Sequence, residues 1–225
     1  MIPGHNLPLA SVGVLVILAG WVAYVAGAAF AHTLDLRTVA PAALNVLLAA
    51  SAGGLASLLF GEFRYGKPDV VLALSGMLGG LVAISAGAAA LPTWAAVIIG
   101  AVAGLIVPAT SVVIDLRARL DDPCALIAVT AVGGAWGTLA VGFFLPLSAH
   151  LTRFELIAVQ VVGIACIAAF SALVAIVVFV LLKKTVGIRA READEFDGLD
   201  LAEHDIGAYP DFQQTMIKSY HLREV

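Results

Sequence analysis

The sequence predicts an all-α protein, a polytopic membrane helix bundle with six transmembrane helices. Of its 225 residues, 61% are hydrophobic and only 12% are charged, whereas soluble domains average about 45–50% apolar and about 25% charged residues. Mean hydropathy is +1.03. A globule of this size cannot hide so much apolar area from water, so lipid is the solvent that fits the composition.

Six stretches reach the length of about 20 apolar residues that a helix needs to cross the hydrocarbon core. Their approximate bounds are 9–31, 39–61, 70–89, 94–116, 124–145 and 156–182. We therefore assign residues 1–182 to a transmembrane bundle and residues 183–225 to a polar C-terminal tail. The last stretch is long enough that we expect it to tilt strongly or to extend beyond the bilayer.

Short polar or proline-containing breaks separate the stretches. Pro68-Asp69 and Leu91-Pro92-Thr93 each end one apolar run before the next begins. The string Asp121-Asp122-Pro123 predicts a helix start, with Asp122 as the N-cap and Pro123 at the first helical position.

The distribution of Lys and Arg predicts the orientation, because cytoplasmic loops carry an excess of these residues. One side holds eight of them, and the opposite side holds only Arg37 and Arg153. We therefore place the N-terminus and the tail in the cytoplasm of a multi-pass protein of the cell's inner (plasma) membrane. The eight are Arg64, Lys67, Arg117, Arg119, Lys183, Lys184, Arg189 and Arg191.

Glycines recur within the stretches at a spacing of four, which lets two helix backbones approach closely. This pattern is typical of tight packing in a bundle, and it is equally compatible with a narrow, rigid lumen between close helices. Pro108, inside the fourth stretch, predicts a kink. The pairs are Gly76 and Gly80, Gly100 and Gly104, and Gly133 and Gly137.

Polar chemistry within the spans is sparse. Asn45 is the clearest strongly polar residue there, and it predicts an interhelical hydrogen bond. Cys124 and Cys166 lie in apolar stretches without metal-ligand spacing and are expected to be buried small hydrophobes. The histidines all fall in loops, termini or the tail: His5, His32, His150, His204 and His221.

The sequence offers no proton-relay carboxylates, nucleotide motif, metal cluster or nucleophile–base arrangement. We expect no enzymatic activity and no cofactor. A basic face suited to nucleic acid is also missing. Two functions are compatible with the composition alone: a passive path for a small solute, and a packing scaffold.

Four strings, in order along nearly the whole chain, resemble the ammonium transporter (Amt/Rh) family. His5-Asn6-Leu7-Pro8 with Gly20-Trp21 is similar to the signature of its sixth helix, and Gly66-Lys67-Pro68 with Ser75-Gly76 to the start of its eighth. A third string is similar to the tenth helix of the family: Asp121-Asp122-Pro123-Cys124 with Val129, Gly133, Gly134 and Gly137. A fourth string is similar to the cytoplasmic tail of the family: Gly187-Ile188-Arg189, Gly198-Leu199-Asp200, His204 and Ala208-Tyr209.

The resemblance implies a fold of eleven helices, built from two inverted five-helix repeats and a long final helix. This chain is expected to correspond to the C-terminal half, from the sixth to the eleventh helix plus the tail. Because inverted repeats place the substrate path at their mutual interface, one repeat presents one wall of a pore. The resemblance also implies a homotrimer, or an assembly with a missing N-terminal half.

The resemblance assigns four positions to an ammonium or ammonia pathway. Trp21 matches a family tryptophan, and Tyr24 stands where a gating phenylalanine is usual. Ala28 occupies the position of a recruiting serine, so that hydroxyl is lost. Thr130 occupies the position of the second pore histidine; its hydroxyl can hydrogen-bond a polar solute but does not relay protons as imidazole does. Alternatively, Thr130 bonds only to its own helix.

In the tail, the resemblance implies contact with a PII-type nitrogen signalling protein. Packing of the tail on its own or a neighbouring protomer is the alternative. Asp205 replaces the usual glycine after His204, and we expect this to alter a tight turn, because aspartate adopts positive φ less easily than glycine. The matching positions are Gly187, Arg189, Gly198, Asp200, His204 and Tyr209.

Three functions therefore remain open: an ammonium transporter polypeptide that needs its other half, a non-transporting membrane scaffold or degenerate remnant, and a partner of the regulator.

Overall fold

The computed structural model describes residues 6–118, 120, 122, 124–147 and 152–207. Within these ranges the chain is helical and contains no strand, which confirms the all-α prediction. Five helical stretches are long and apolar enough to cross a membrane, and a sixth apolar helix has 16 residues. His5, Arg119, Asp121, Pro123, His150, Tyr209 and His221 lie outside the described residues.

The helices, in chain order, are α1 (Leu7–Thr33), α2 (Val39–Tyr65), α3 (Val70–Ser85), α4 (Thr93–Val113), α5 (Gly133–Phe144), α6 (Arg153–Thr185), α7 (Glu192–Asp197) and α8 (Leu199–His204). A 3-10 turn, Leu36–Thr38, precedes α2. Helix α4 continues into a π-helical turn, Ile114–Ala118, and α5 is preceded by another, Ile127–Val132.

Side-chain caps explain where the early helices begin. The Asn6 side chain accepts a hydrogen bond from the Leu9 amide at the start of α1. Asp69 does the same for Val71 at the start of α3. These oxygens satisfy amides that have no partner within the helix. Helix α2 ends at Gly66, whose φ of 73° is a left-handed conformation that glycine adopts without steric cost.

The predicted start of the fifth span is wrong in its position. Asp122 does cap this helix, but its two carboxylate oxygens accept from the amides of Leu126 and Ile127, each at 2.7 Å. Regular helical structure therefore begins near Ile127 rather than at 123. The intervening Ala125 has a φ of 51°, which shows that a tight turn, not a first helical turn, separates the cap from the helix.

The third span is shorter than the predicted 70–89, because α3 ends at Ser85. Beyond it, residues 86–90 form consecutive turns and the chain bends at Leu91. The Asn45 amide donates to the carbonyls of Ala88 and Leu91, at 2.8 and 3.0 Å. Asn45 therefore makes long-range hydrogen bonds, as predicted, but its acceptors lie in the turns after α3 and not in a second helix. These bonds hold the chain in turns where hydropathy alone suggests more helix.

Backbone-to-backbone contact between α2 and its neighbours forms the centre of the bundle. A Cβ added at Gly80 or at Gly100 would meet the Ala49 carbonyl oxygen, and one added at Gly104 would meet that of Gly53. The side chain of Ser57 donates to the Gly104 carbonyl. The glycine pairs therefore serve close packing of α2 against α3 and α4.

Helix α5 joins this centre through α3. An added Cβ at Gly137 would meet the carbonyl of Ala83. The side chain of Trp136 donates from Nε1 to the Ile99 carbonyl at 3.0 Å, which ties α5 to α4 as well. The core between these helices consists mainly of alanine, valine and a few larger aliphatic residues.

The chain divides into two compact units, Met1–Ile167 and Ala168–Val225, with the boundary inside α6. Helix α6 has 33 residues, about 50 Å of helix, and none of its residues is buried within the protein. The expectation that Cys124 and Cys166 are buried is wrong, because both are exposed. Cys166 is apolar enough to face lipid, which a membrane helix can do without protein cover.

We predict that Gly104→Ala destabilises the bundle by about 1–3 kcal/mol, because the new methyl group must push the α2 backbone away. The measurement is the thermal unfolding midpoint of the purified protein in detergent. Gly20→Ala is the matched control, since nothing lies within 4 Å of a Cβ at that position. Equal midpoints for the two variants would show that the close contact is not required.

Candidate functional site: an aromatic cavity at the end of α3

Two aromatic side chains of α1 form the first part of the site. The rings of Trp21 and Tyr24 lie with centroids 6.0 Å apart and an interplanar angle of 71°, an edge-to-face arrangement. Tyr24 is 66% exposed. The structure thus brings together two of the four predicted pathway residues and leaves one ring accessible.

A hydrogen bond fixes this aromatic pair to α3. The Trp21 Nε1 donates to the Ser85 hydroxyl at 2.8 Å, and that hydroxyl donates in turn to the Leu81 carbonyl at 2.7 Å. Ser85 therefore holds the indole at the last residue of α3. This contact joins residues 64 positions apart, and no local pattern in the sequence predicts it.

A cavity of about 310 Å³ lies beside the aromatic pair. Tyr24, Ala28 and His32 line it from successive turns of α1, and residues 85–90 line it from the end of α3 and the following turns. Ala28, a third predicted pathway residue, thus lies in the same cavity as Tyr24. Sequence reasoning missed the contributions of His32 and of residues 85–90.

The electrostatics of this cavity suit a small cation. The carbonyl end of a helix carries a partial negative charge, and α3 ends at the cavity wall. Tyr24 is exposed, and the face of an aromatic ring attracts cations through its quadrupole. Among the described residues that line the cavity, none is Lys, Arg, Asp or Glu, so neither a fixed positive charge nor a salt-bridging carboxylate is present there.

Asn45 stabilises the turns that form one wall of the cavity. It is 1% exposed, and its two hydrogen bonds go to the carbonyls of Ala88 and Leu91, in the turns that follow α3. Its Oδ1 is buried without a hydrogen-bond partner. The residue therefore serves to position the wall, and it does so at the cost of one unsatisfied acceptor.

Thr130, the fourth predicted pathway residue, is not part of this cavity. It lies exposed in the π-helical turn before α5, and its hydroxyl donates to the Leu126 carbonyl at 2.7 Å. The alternative interpretation of Thr130, a bond to its own helix, is thus observed. The hydroxyl oxygen keeps acceptor capacity, since a threonine oxygen has two lone pairs.

The level of Thr130 along the bundle follows from the packing of α5 on α3. A Cβ at Gly133 would lie 3.6 Å from the Gly79 carbonyl oxygen, and one at Gly137 would meet that of Ala83. The two helices therefore run in the same direction, and Thr130 lies near the level of residue 76. Trp21 bonds to Ser85, nine positions further along α3, so the two sites are roughly 13 Å apart along the helix axis.

The described part of the tail forms turns and two short helices, stabilised by ion pairs. Arg189 pairs with Glu195 at 3.1 Å, and Arg191 with Asp194 at 2.8 Å. The hydrogen bond from Arg189, followed by its positive charge, lowers the pKa of the Glu195 carboxyl. Both ion pairs are exposed, so they order the tail locally and add little stability.

Several tail positions named by the resemblance have conformational roles. Gly187 and Gly198 have φ of 84° and 96°, which glycine adopts readily. Asp205 has a φ of 52° and ends α8 in the left-handed conformation, which aspartate tolerates better than most residues. Asp205 thus adopts a positive φ, and the expectation that it alters the turn relative to glycine stays a prediction. His204 closes α8, and Asp200 lies within it.

Comparison with known proteins connects this geometry to a family. The sequence model of the Ammonium Transporter Family matches residues 1–209. The chain belongs to this family. Its multi-pass membrane character follows from that membership and from the five membrane-length apolar helices.

Curated relatives of the ammonium transporter family match along most of the chain. Ammonium transporter Amt2 of Archaeoglobus fulgidus is 35% identical over 95% of this chain and 48% of its own length. Ammonium transporter Amt1 of Haloferax mediterranei is 32% identical over 94% of this chain and 42% of its own length. The chain thus spans about half the length of the curated relatives it matches.

Solved structures agree with the family fold. A Sensor Amt Protein superimposes with a TM-score of 0.81 at 29% identity, covering 89% of this chain and 50% of that one. Candida albicans Mep2 superimposes with a TM-score of 0.74 at 24% identity, covering 84% and 44%; at that identity the likeness shows the fold alone. The all-helical membrane bundle is therefore that of Amt and Mep proteins.

We predict that Asn45→Ala lowers the free energy of unfolding by about 1–3 kcal/mol, because two buried carbonyls lose their donor. The unfolding midpoint in detergent measures this. Ser51→Ala is the matched control on the same helix, since Ser51 is exposed and bonds only to the carbonyl four residues before it. An unchanged midpoint for Asn45→Ala would contradict the positioning role.

We predict that Arg189→Gln raises the pKa of Glu195, because the donor that stabilises the ionised carboxylate is removed. The pKa of Glu195 is lowered in the folded tail, so the ion pair stabilises the folded tail at pH values above the ordinary carboxylate range. This stabilisation is lost as the pH falls through the lowered pKa. Titration of the ¹³C-labelled Glu carboxyl groups by NMR on the full chain measures the shift. Arg37→Gln is the control, and equal pKa values in both variants would contradict the pairing.

Proposed function

We propose that this chain forms part of a transmembrane pathway for ammonium or ammonia. The observation that carries the proposal is a cavity lined both by the exposed Tyr24 and by the carbonyl end of α3, beside the anchored Trp21. Both features attract a small cation. Family membership supports the same substrate, since the matching relatives are named ammonium transporters.

Recruitment in this proposal relies on the aromatic ring and the helix end. Ala28 supplies no hydroxyl, so the cavity binds the cation without the hydrogen bond that a serine there would accept. His32, one turn beyond Ala28 in the same cavity, provides an imidazole at the mouth. The positive-inside orientation places this cavity on the extracytoplasmic side, with the N-terminus and the tail in the cytoplasm.

A conducting pathway needs protein on both sides, and in this proposal the chain supplies one of the two sides. We assign this chain to the C-terminal half of the family fold, the sixth to eleventh helices plus the tail, and a first half supplied on the same or a separate polypeptide completes the path. The order of the four matched strings supports the assignment to the C-terminal half. The half-length matches to relatives and the exposure of Tyr24 and Thr130 support the need for a second half, without saying which. A homotrimer of the completed units in the inner or plasma membrane is the expected assembly.

The pathway does not relay protons by an imidazole pair in this proposal. Thr130 has its hydroxyl hydrogen committed to the Leu126 carbonyl, and a hydroxyl does not ionise near neutral pH. The residue accepts a hydrogen bond from a passing N–H group and takes no proton from it. In this proposal, transport along a path with threonine at position 130 depends less on deprotonation of the solute than transport along a path with histidine there.

A second candidate function is a non-transporting membrane scaffold or a degenerate remnant. The loss of the hydroxyl at Ala28 and the bonding of Thr130 to its own helix favour it. The double variant Ala28→Ser, Thr130→His in the completed assembly separates the two functions. Uptake that is zero before and after the change favours the scaffold, and clear uptake by the unmodified assembly removes it.

Regulation through the tail is a further part of the proposal. A PII-type signalling protein binds the cytoplasmic tail in this scheme, with Gly187 and Gly198 setting the turns and the ion pair of Arg189 holding α7. Tyr209 belongs to the same group by its position. Retention of a purified PII-type protein by the full chain in detergent tests this, and no retention counts against it.

We predict that the chain co-expressed with a family first half takes up methylammonium above the level of empty membranes, while the chain alone takes up little. The physical reason is that one repeat leaves its cavity open to lipid on one side. Radiolabelled methylammonium uptake in cells lacking their own transporters measures this. The first half expressed alone is the control, and no uptake by either preparation excludes transport.

We predict that Tyr24→Leu raises the KM for methylammonium roughly 5- to 30-fold, the equivalent of a cation–π contribution of about 1–2 kcal/mol. Tyr24→Phe retains the ring and is expected to keep the KM near that of the unmodified assembly. Equal KM values for Leu and Phe would show that the ring does not recruit the cation.

A further inference from the structure

Three of the described side chains that line the cavity beside Trp21 are polar, and they differ in how they are bonded. Tyr24 and His32 line it from α1, and Ser85 lines it from the end of α3. The Ser85 hydroxyl accepts from Trp21 Nε1 and donates to the Leu81 carbonyl, so its hydrogen and one lone pair are used. Within the described part of the chain, neither the Tyr24 hydroxyl nor the His32 ring has a hydrogen-bond partner.

His32 lies on the same face of α1 as Tyr24 and Ala28, because these cavity-lining residues are spaced four apart. The side chain of Ala28 offers no polar atom. A long side chain in a helix leans toward the N-terminus, over the turn before its own. For His32 that turn is the one of Ala28, about 6 Å away along the axis. The imidazole is therefore placed to supply a hydrogen-bond acceptor next to the Tyr24 ring.

Two helices end at this cavity, and both ends favour a cation there. Helix α1 ends at Thr33, one residue after His32, and α3 ends at Ser85. The carbonyl end of each helix carries a partial negative charge. An ammonium ion also carries N–H donors on all sides, and a donor that leaves water without an acceptor is costly. A neutral imidazole nitrogen provides such an acceptor, which the face of an aromatic ring does not.

Charged side chains near this end of the bundle do not line the cavity. In the turn after α1, the Asp35 carboxylate accepts from the Arg37 amide. At the start of α6, the Arg153 guanidinium donates to carbonyls at the end of α5, and Glu155 accepts within its own turn. Among the described residues that line the cavity, Tyr24 is the titratable side chain that accompanies the imidazole. A carboxylate that would offset a charge on the imidazole is thus missing from this described lining.

We propose, on the basis of the function proposed above, that His32 binds the substrate cation. A nitrogen of its neutral ring accepts an N–H hydrogen bond from the cation, while the Tyr24 ring and the end of α3 attract the charge. Protonation of the ring removes this acceptor and adds a positive charge to the cavity. Imidazole is the side chain that ordinarily changes charge between about pH 5 and pH 8. Binding of the cation therefore weakens as the pH falls through that range.

Binding is tested on the full chain in detergent by NMR of the ¹⁵N-labelled imidazole nitrogens, at about pH 8, where neutral imidazole predominates. His32→Gln identifies the resonance of His32 by its loss. We expect ammonium chloride to shift this resonance. An equal concentration of tetramethylammonium chloride is expected to leave it in place, because that cation has no N–H donor. The proposal is overturned if the two salts act alike, whatever the transport activity of the chain.

The second measurement is the KM for methylammonium of the assembly completed by a family first half. His32→Ala is expected to raise this KM roughly 10-fold or more, because a hydrogen bond to a charged group is lost. His32→Gln keeps an acceptor oxygen and is expected to restore most of the affinity. It is also expected to remove the rise in KM that the unmodified assembly shows between about pH 8 and pH 5.5.

His221→Gln, the same substitution in the C-terminal tail, is the matched control and is expected to leave the KM and its pH profile unchanged. The proposal is overturned if His32→Ala keeps the KM of the unmodified assembly, or if His32→Gln keeps its pH profile. Absence of uptake by the unmodified assembly counts against the proposed transport, and the NMR result then decides the role of His32.

Discussion

The arrangement of the bundle depends on the contact of the α2 backbone with α3 and α4. At the level of Ala49, the carbonyl faces Gly80 on one side and Gly100 on the other, and one turn later Gly53 faces Gly104 in the same way. No side chain fits between these backbones, so three helices are fixed as one unit. Lipid provides no hydrophobic drive for helices to associate, and close packing of small residues supplies the attraction instead. The cavity at one end of α3 borders this unit.

The elements around this centre are attached by a few specific hydrogen bonds. The indole of Trp21 fixes α1 to Ser85, and the amide of Asn45 fixes the turns that follow α3. Each of these donors lies in a region otherwise made of hydrocarbon, where an unpaired polar group is expensive. They therefore specify geometry as well as stability. Since both bonds end near the cavity, polar contacts hold its wall. The rest of the bundle is held by close backbone packing together with the hydrogen bonds of Ser57 and Trp136.

Hydropathy located the six apolar helices because a span of lipid requires a long apolar run whatever its neighbours are. It misplaced the end of α3 and the start of α5, since Asn45 and Asp122 act on backbone groups at a distance that composition does not encode. The sequence also could not predict which apolar residues are buried within the protein, as Cys166 shows, because core and lipid-facing positions are equally apolar. The resemblance located Tyr24 and Ala28, which share a cavity, but Ser85 and the wall of residues 85–90 come from tertiary contacts.

The departures at Ala28 and Thr130 act on different steps of the proposed path. Losing the hydroxyl at Ala28 weakens recruitment only in part, because the Tyr24 ring and the end of α3 remain at the same cavity. With threonine at position 130 the proposed path lacks a proton acceptor there. Among the described residues that line the cavity, the imidazole belongs to His32, and the cavity lies roughly 13 Å further along the bundle. A cation can therefore be attracted at the mouth without being deprotonated at Thr130. In the proposed pathway, binding of the cation is therefore separate from release of its proton, and we propose that the second step depends on the wall that faces Thr130 in a completed assembly.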